Sequence, residues 1–177
     1  EAIDAIDREL ENASAGYVSE EREQLVLLKG IILGANSETG RVALKTLILN
    51  GQGRETMGIA LQLLARVPNQ DVDLLNFLKV VLSRNEPHLL QGQMYYLRSQ
   101  LAMKMAQQGS VEERVGLMAI AESDARTLLD QFPGLSQITN VYRLLAYAAL
   151  ERQPAQYRAA ADFLVQLRDQ SRESEDF

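Results

Sequence analysis

The sequence predicts an all-α protein whose helices follow one another as antiparallel hairpins. Apolar residues recur every three or four positions through most of the chain, which is the period of a helix that buries one face. No segment shows the alternation or the richness in β-branched residues that is typical of strands. All four prolines stand at expected helix boundaries, namely Pro68, Pro87, Pro133 and Pro154. Short connections of this kind favour hairpins stacked as an α-solenoid, with a closed helical bundle as the alternative.

The composition is that of an ordinary globular chain and argues against several classes of protein. With 177 residues and 46% hydrophobic content, we expect one domain over residues 1–172 and an acidic mobile tail over 173–177. The net charge of −6 argues against a generic nucleic-acid binder, which needs a basic surface. Because the chain has no cysteine, it can form neither a disulfide nor a thiolate metal site.

The sequence shows no targeting signal. It starts at Glu1 rather than at a methionine and has no basic segment followed by an apolar one, so we expect a processed product or an excised domain. A soluble chain without cysteines suits the cytoplasm and the periplasm equally, which leaves the compartment open.

The first half of the chain is expected to begin with two helices, over Glu1–Asn12 and Ser19–Ala35. The second contains the most apolar run, Leu25–Ala35, which is much shorter than the about twenty residues that span a bilayer, so we expect a buried helix. Gly30 and Gly34 form a small-residue pair that lets a neighbouring helix approach closely. Acidic residues at the start of this helix suit the positive end of its dipole better than they suit a metal site: Glu20, Glu21 and Glu23.

A glycine-rich loop, Asn50-Gly51-Gln52-Gly53-Arg54, precedes a further predicted helix. Main-chain amides at such a position can hold a phosphate, and Arg54 could add a positive charge. Neither full phosphate-binding fingerprint is present, however, and no strand precedes the loop. We therefore expect a turn between two helices, Arg41–Asn50 and Arg54–Val67.

The middle of the chain offers no catalytic constellation. His88 is the only histidine, and the sequence names no nucleophile or carboxylate partner for it, so we expect a surface residue at the start of a helix over Leu89–Gln108. We expect no enzyme activity, no metal and no cofactor. The next helix starts at Ser110, whose pairing with Glu113 is a capping-box signature.

Residues 136–172 carry the clearest helical hairpin. The apolar face of its first helix consists of Ile138, Val141, Tyr142, Leu145, Ala148 and Ala149. We expect Ser136 to cap this helix and Pro154 to stand in the first turn of the second. The apolar stripe of the second helix consists of Ala159, Ala160, Phe163, Leu164 and Leu167.

The residue types of this hairpin follow a family pattern. A large aromatic, a leucine and small residues in the first helix and Ala-x3-aromatic in the second stand at Tyr142, Leu145, Ala146, Ala149, Ala159 and Phe163. In these residues the hairpin resembles a tetratricopeptide repeat, a unit of about 34 residues. The preceding unit, Tyr95–Leu135, matches less fully, because Ser110–Gly116 is longer than the pattern and Ala125 replaces an aromatic. Ser37–Gln70 matches mainly in its length and in Gly51 and Pro68.

The resemblance implies a tetratricopeptide-repeat-like α-solenoid in which the first helices of successive hairpins line a concave groove. The family's register puts eight residues of this chain in that groove: Tyr96, Ser99, Met103, Gln107, Asn140, Arg143, Tyr147 and Glu151. For Tyr147, packing against the neighbouring hairpin stays open beside exposure in the groove. With one arginine and no lysine, the groove departs from the clamp for acidic C-terminal peptides that some family members have.

A protein-binding function is the expectation that follows. Eight of the ten aromatic residues lie from Tyr95 onward, and aromatic and arginine side chains dominate protein interfaces. We therefore expect a non-catalytic scaffold that binds a partner protein or peptide through the groove, with no nucleic-acid partner and no membrane span. The alternative is a helical regulatory or effector-binding domain that dimerises through the apolar N-terminal half, around Gly30 and Gly34.

Overall fold

The computed structural model describes residues 1–12, 19–84, 86–152 and 154–175, and the regular elements in these ranges are nine α-helices. In chain order they are α1 (Ala2–Asn12), α2 (Ser19–Leu33), α3 (Glu38–Asn50), α4 (Arg54–Ala65), α5 (Asp71–Leu82), α6 (Gln91–Gln108), α7 (Val111–Gln131), α8 (Ile138–Glu151) and α9 (Tyr157–Glu175). The prediction of an all-α chain is confirmed for these residues. Of the predicted tail, residues 176 and 177 lie outside the described residues.

The helices belong to two compact units. The first comprises Glu1–Leu74 and Glu86–Leu90, and the second comprises Leu75–Asn85 and Gln91–Phe177. In the first unit α1 packs on α2, α2 on α3 and α3 on α4, and α2 also contacts α4. In the second unit α6 packs on α7, α7 on α8 and α8 on α9, and α6 also contacts α8. Each unit therefore pairs helices that follow one another along the chain.

The two glycines of α2 and its C-terminal turn have different structural roles. A Cβ on Gly30 would lie 2.6 Å from Leu44 Cδ2, so this glycine permits the close approach of α3. Gly34 follows the end of α2 at a φ of 79°, in the left-handed region that glycine adopts without strain. The predicted close packing is thus confirmed at Gly30. At Gly34 an added Cβ would meet nothing within 4 Å, and the close approach of α3 depends instead on Gly40, on which a Cβ would lie 2.1 Å from the Gly34 carbonyl oxygen.

The prediction that α2 is a buried helix is wrong for one of its faces. Leu27 is buried, but Leu28, Ile31 and Ile32 are 45%, 50% and 44% exposed. The helices that pack on α2 cover Glu23, Leu27 and Gly30, which share one face because they are spaced three or four residues apart. The apolar side chains beside that face stay open to solvent.

The core of the second unit joins helices α6 to α9 through small and branched side chains. One cluster is centred on Ala102, Met103, Ala121 and Ala148, and another on Ala125, Leu128, Val141 and Leu145. Phe163 of α9 packs against the second cluster. The predicted apolar face of α8 is therefore confirmed, and alanines at these positions let the helices approach closely.

Helix boundaries in this unit differ from the prediction at two places. Ser136 does not cap α8, which begins after Gln137, because the amides of Ile138 and Asn140 already bond to carbonyls of the preceding turns at 3.0 and 2.9 Å. Pro154 does not stand in the first turn of α9, which begins three residues later at Tyr157.

The predicted capping box at the start of α7 is confirmed. The Ser110 hydroxyl accepts from the Glu113 amide at 3.4 Å, and the Glu113 carboxylate accepts from the Ser110 amide at 3.0 Å. The hydrogen bond from the Ser110 amide, together with one from the Ser110 hydroxyl, lowers the pKa of the Glu113 carboxyl below its ordinary value.

Candidate partner-binding surface

A row of exposed side chains runs along α8 on the side opposite its core face. It consists of Asn140, Arg143, Tyr147 and Glu151, spaced three or four residues apart so that they share one face. Tyr147 is 37% exposed, which places a large aromatic ring at the surface rather than within the core. Tyr147 is therefore partly exposed on this face of α8.

A line of hydrogen bonds connects this row to α6. The Tyr96 hydroxyl accepts from the Gln100 side-chain amide at 2.8 Å and from the Asn140 side-chain amide at 3.2 Å. Arg143 in turn donates to the Asn140 side-chain oxygen at 3.2 Å. The network holds α6 and α8 side by side, and its members Gln100, Asn140 and Arg143 are exposed and able to exchange bonds with a bound chain.

A small cleft lies between the ends of these helices. Its volume is about 160 Å³, and its walls bring together three of the predicted residues, Gln107, Tyr147 and Glu151. Two α7 residues, Arg114 and Met118, complete the lining with Ala106. Arg114 donates to the Ala106 carbonyl at 3.2 Å and stands 3.8 Å from the Glu151 carboxylate. The cleft thus offers an apolar contact beside a loosely paired positive and negative charge.

Two of the eight predicted residues are not accessible. Ser99 is fully buried, and its hydroxyl donates to the Tyr96 carbonyl at 2.7 Å. Met103 is only 8% exposed and packs in the cluster that contains Ala148 of α8. The predicted register counted both residues on an open face, but α8 covers α6 at this level. The α6–α8 surface therefore consists of Tyr96, Gln100, Gln107, Asn140, Arg143, Tyr147 and Glu151.

A buried ion pair that the sequence analysis missed ties α6 to α7 beneath this surface. Arg98 Nε and Nη2 donate to the two carboxylate oxygens of Asp124 at 2.7 and 2.6 Å, and the Arg98 guanidinium lies 5.5 Å from the centre of the Tyr95 ring. Burial raises the pKa of the Asp124 carboxyl, which the bonds from Arg98 oppose, and the same bonds raise the pKa of Arg98. The sequence did contain a sign of this ion pair, because the charged Asp124 interrupts the apolar stripe of α7 between Ala121 and Leu128.

The glycine-rich loop of the first unit already holds an anion, and that anion belongs to the chain itself. Glu23 of α2 is 7% exposed, and its carboxylate accepts from the amides of Gln52 and Gly53 at 2.6 and 2.8 Å and from the Thr56 hydroxyl at 2.9 Å. The expectation of a helix–helix turn rather than a phosphate cradle is confirmed, since the amides that could hold a phosphate bind Glu23.

His88 has a structural position that the sequence did not indicate. It precedes α6 instead of belonging to it, and Nε2 lies 2.8 Å from the Ile48 carbonyl while Nδ1 accepts from the Leu90 amide at 3.1 Å. Both ring nitrogens therefore bind main chain, in the tautomer that carries the proton on Nε2. The expectation of a simple surface residue is wrong.

In the part of the chain that the structure describes, no group of three or more His, Cys, Asp or Glu side chains is arranged to hold a metal ion. No helix in these ranges has the length and apolar character needed to cross a bilayer. The chain matches no protein-family model, no curated protein and no solved structure.

Proposed function

We propose that this chain is a non-catalytic interaction scaffold that binds a protein or peptide partner along the α6–α8 surface. The observation that carries the proposal is the exposed Tyr147, one turn from the exposed Arg143 and beside a cleft. Tyrosine and arginine are enriched among the residues that dominate binding energy in interfaces. An aromatic ring left at the surface in this setting is well placed to anchor a partner.

The size of the cleft favours a peptide side chain over a small-molecule ligand. Sites for small molecules and cofactors usually enclose about 300–1,000 Å³, and this cleft has about 160 Å³. Its mixed lining accepts the apolar part of a side chain against Met118 and Tyr147 and a polar end near Arg114 or Glu151. For the alternative, Gly30 packs against Leu44 within the unit, so a dimer of the N-terminal half would have to form through the exposed Leu28, Ile31 and Ile32 of α2.

The hydrogen-bond line between Tyr96 and Arg143 supplies the second part of the binding surface. Amide, hydroxyl and guanidinium groups along it match the carbonyl and amide groups of an extended peptide. The packing of α6 on α7, α7 on α8 and α8 on α9 is also the order in which helical-hairpin repeats stack. These contacts support a tetratricopeptide-repeat-like solenoid as part of the proposal, with α6 and α8 as the first helices of two hairpins.

Selection from a random-peptide display library tests the proposal. Wild-type protein should enrich peptides whose binding is lost in Arg143→Glu/Tyr147→Ala. The matched control is Val80→Ala/Arg84→Glu, which removes an exposed apolar residue and reverses an exposed arginine at the same spacing. Peptides that bind wild type and control but not the surface variant support the proposal. Failure to enrich any peptide, or equal binding by the surface variant, overturns it.

A further inference from the structure

Helix α9 has a second apolar stripe beside the one that packs in its own unit. Ala160 is buried, and Phe163 and Leu167 are half-buried on the α8 side. On the neighbouring stripe Tyr157 is 75% exposed, Leu164 is 48% exposed and Val165 is 45% exposed. Ala161 is exposed between them. A helix with apolar residues on two faces has one face left to cover after it has packed in its own unit.

The spacing of this second stripe is that of a helix-pairing seam. Tyr157, Ala161, Leu164 and Arg168 follow one another at steps of four, three and four, the alternation by which two helices interdigitate. In an antiparallel pair of identical helices, the layers of such a seam match Ala161 with Leu164 and Tyr157 with Arg168. A small residue then lies opposite a large one, and a guanidinium lies against a tyrosine ring, which is a favourable cation–π contact.

The charged residues beside the stripe also favour an antiparallel pair of two identical helices. Arg158 and Asp169 are eleven residues, or about three turns, apart, so they lie on one flank of the stripe. A two-fold axis brings this flank next to its own copy, which sets each Arg158 near the Asp169 of the other helix. In a parallel pair this flank would face the opposite flank of the partner helix, so Arg158 and Asp169 would not meet.

We propose that α9 pairs antiparallel with α9 of a second copy of this chain. In the single chain Arg168 and Asp169 bond to each other at 2.9 Å, and both are more than half exposed. Pairing exchanges this solvent-exposed contact for one between copies. The seam has only four layers, which is typical of a weak, concentration-dependent association. The dimer carries two α6–α8 surfaces and so binds a repeated partner with higher avidity.

Sedimentation of the full chain over a range of concentrations tests the pairing. We expect a monomer–dimer equilibrium that Leu164→Glu weakens by about tenfold or more. Leu150→Glu is the matched control, because Leu150 of α8 is 44% exposed and outside the stripe. A chain that is monomeric at about 1 mM, or a dimer that Leu164→Glu leaves unchanged, overturns the proposal. Circular dichroism establishes that both variants are folded.

Exchanging the charges of Arg158 and Asp169 tests the antiparallel register separately from the apolar contacts. Arg158→Asp and Asp169→Arg should each weaken self-association, because each sets like charges together at both contacts between residues 158 and 169. An equimolar mixture of the two single variants should form a heterodimer in which both charge contacts again hold opposite charges. The double variant should recover self-association for the same reason. Single variants that dimerise as wild type does, or a mixture without recovery, overturn the proposal.

Discussion

Glu23 accepts a hydrogen bond of 2.8 Å from the amide of Gly53, the residue that precedes α4. Because the same carboxylate also binds the Gln52 amide and the Thr56 hydroxyl, one side chain of α2 holds the loop that precedes another helix. The N-cap of that helix is Gly53, which has no side chain to accept from the amides of the first turn. The acceptor that holds the loop comes from a distant part of the chain.

Replacing Glu23 should therefore destabilise the first unit. Glu23→Ala leaves two main-chain amides and the Thr56 hydroxyl without their acceptor, and we expect it to lower the free energy of unfolding by about 2–4 kcal/mol. Glu23→Gln retains one side-chain oxygen and should have an intermediate effect. Urea denaturation measures both, with Glu21→Gln on the exposed face of α2 as the control. A change of less than about 1 kcal/mol in Glu23→Ala would show that the contact contributes little.

The local features of the fold could be predicted, whereas the contacts between distant residues could not. Helical periodicity, the prolines and the capping box at Ser110 depend on neighbouring residues, and each placed a helix or its end. Which face of α2 is covered depends on α3 and α4, so the exposure of Leu28 and Ile31 had no signature in the sequence. The use of the glycine-rich loop likewise depends on Glu23, about thirty residues earlier along the chain.

In the candidate site, too, local features could be predicted and contacts between distant residues could not. The exposed row from Asn140 to Glu151 follows from the period of a single helix, and the structure has it. The corresponding row on α6 was predicted for Ser99 and Met103 as well, yet these residues are buried. Helix period identifies which residues share a face, but it does not tell how closely the next helix covers that face.

The ion pair between Arg98 and Asp124 should be a strong structural link within the second unit. The Arg98 side chain is 17% exposed and that of Asp124 is 3% exposed. Asp124→Leu leaves a buried guanidinium without its counter-ion, and we expect it to cost about 3–5 kcal/mol of unfolding free energy. The double variant Arg98→Met/Asp124→Leu removes both charges and should recover most of that stability. Urea denaturation of Arg98→Met, Asp124→Leu and the double variant gives a complete double-mutant cycle. A double variant as unstable as Asp124→Leu would contradict the explanation.

The capping box should make the stability of α7 depend on pH. The pKa of Glu113 is lower in the folded chain than in the unfolded one, where a glutamate titrates at about 4.3. Ionised Glu113 therefore contributes stability at pH values above 4.3, and that contribution is lost as the pH falls through the folded pKa. Glu113→Gln should lose stability less steeply than wild type between about pH 5 and pH 3. Denaturation at a series of pH values measures the slope, and Glu112→Gln supplies the same charge change outside the box. Equal slopes in wild type and Glu113→Gln would contradict the prediction.

Two glycine-to-alanine substitutions in the first unit should have effects of opposite sign. In Gly30→Ala the new Cβ would lie 2.6 Å from the Leu44 side chain, which is fully buried and has no open space into which to move. We expect α2 and α3 to be forced apart and the free energy of unfolding to fall by about 1–3 kcal/mol. Gly58 of α4 is helical too, but a Cβ there would meet nothing within 4 Å. Gly58→Ala should raise the free energy of unfolding by about 0.5–1 kcal/mol, because alanine loses less backbone entropy in a helix. If both substitutions stabilise the chain in urea denaturation, the contact between Gly30 and Leu44 is not a close one, and the approach of α3 to α2 must depend on other residues.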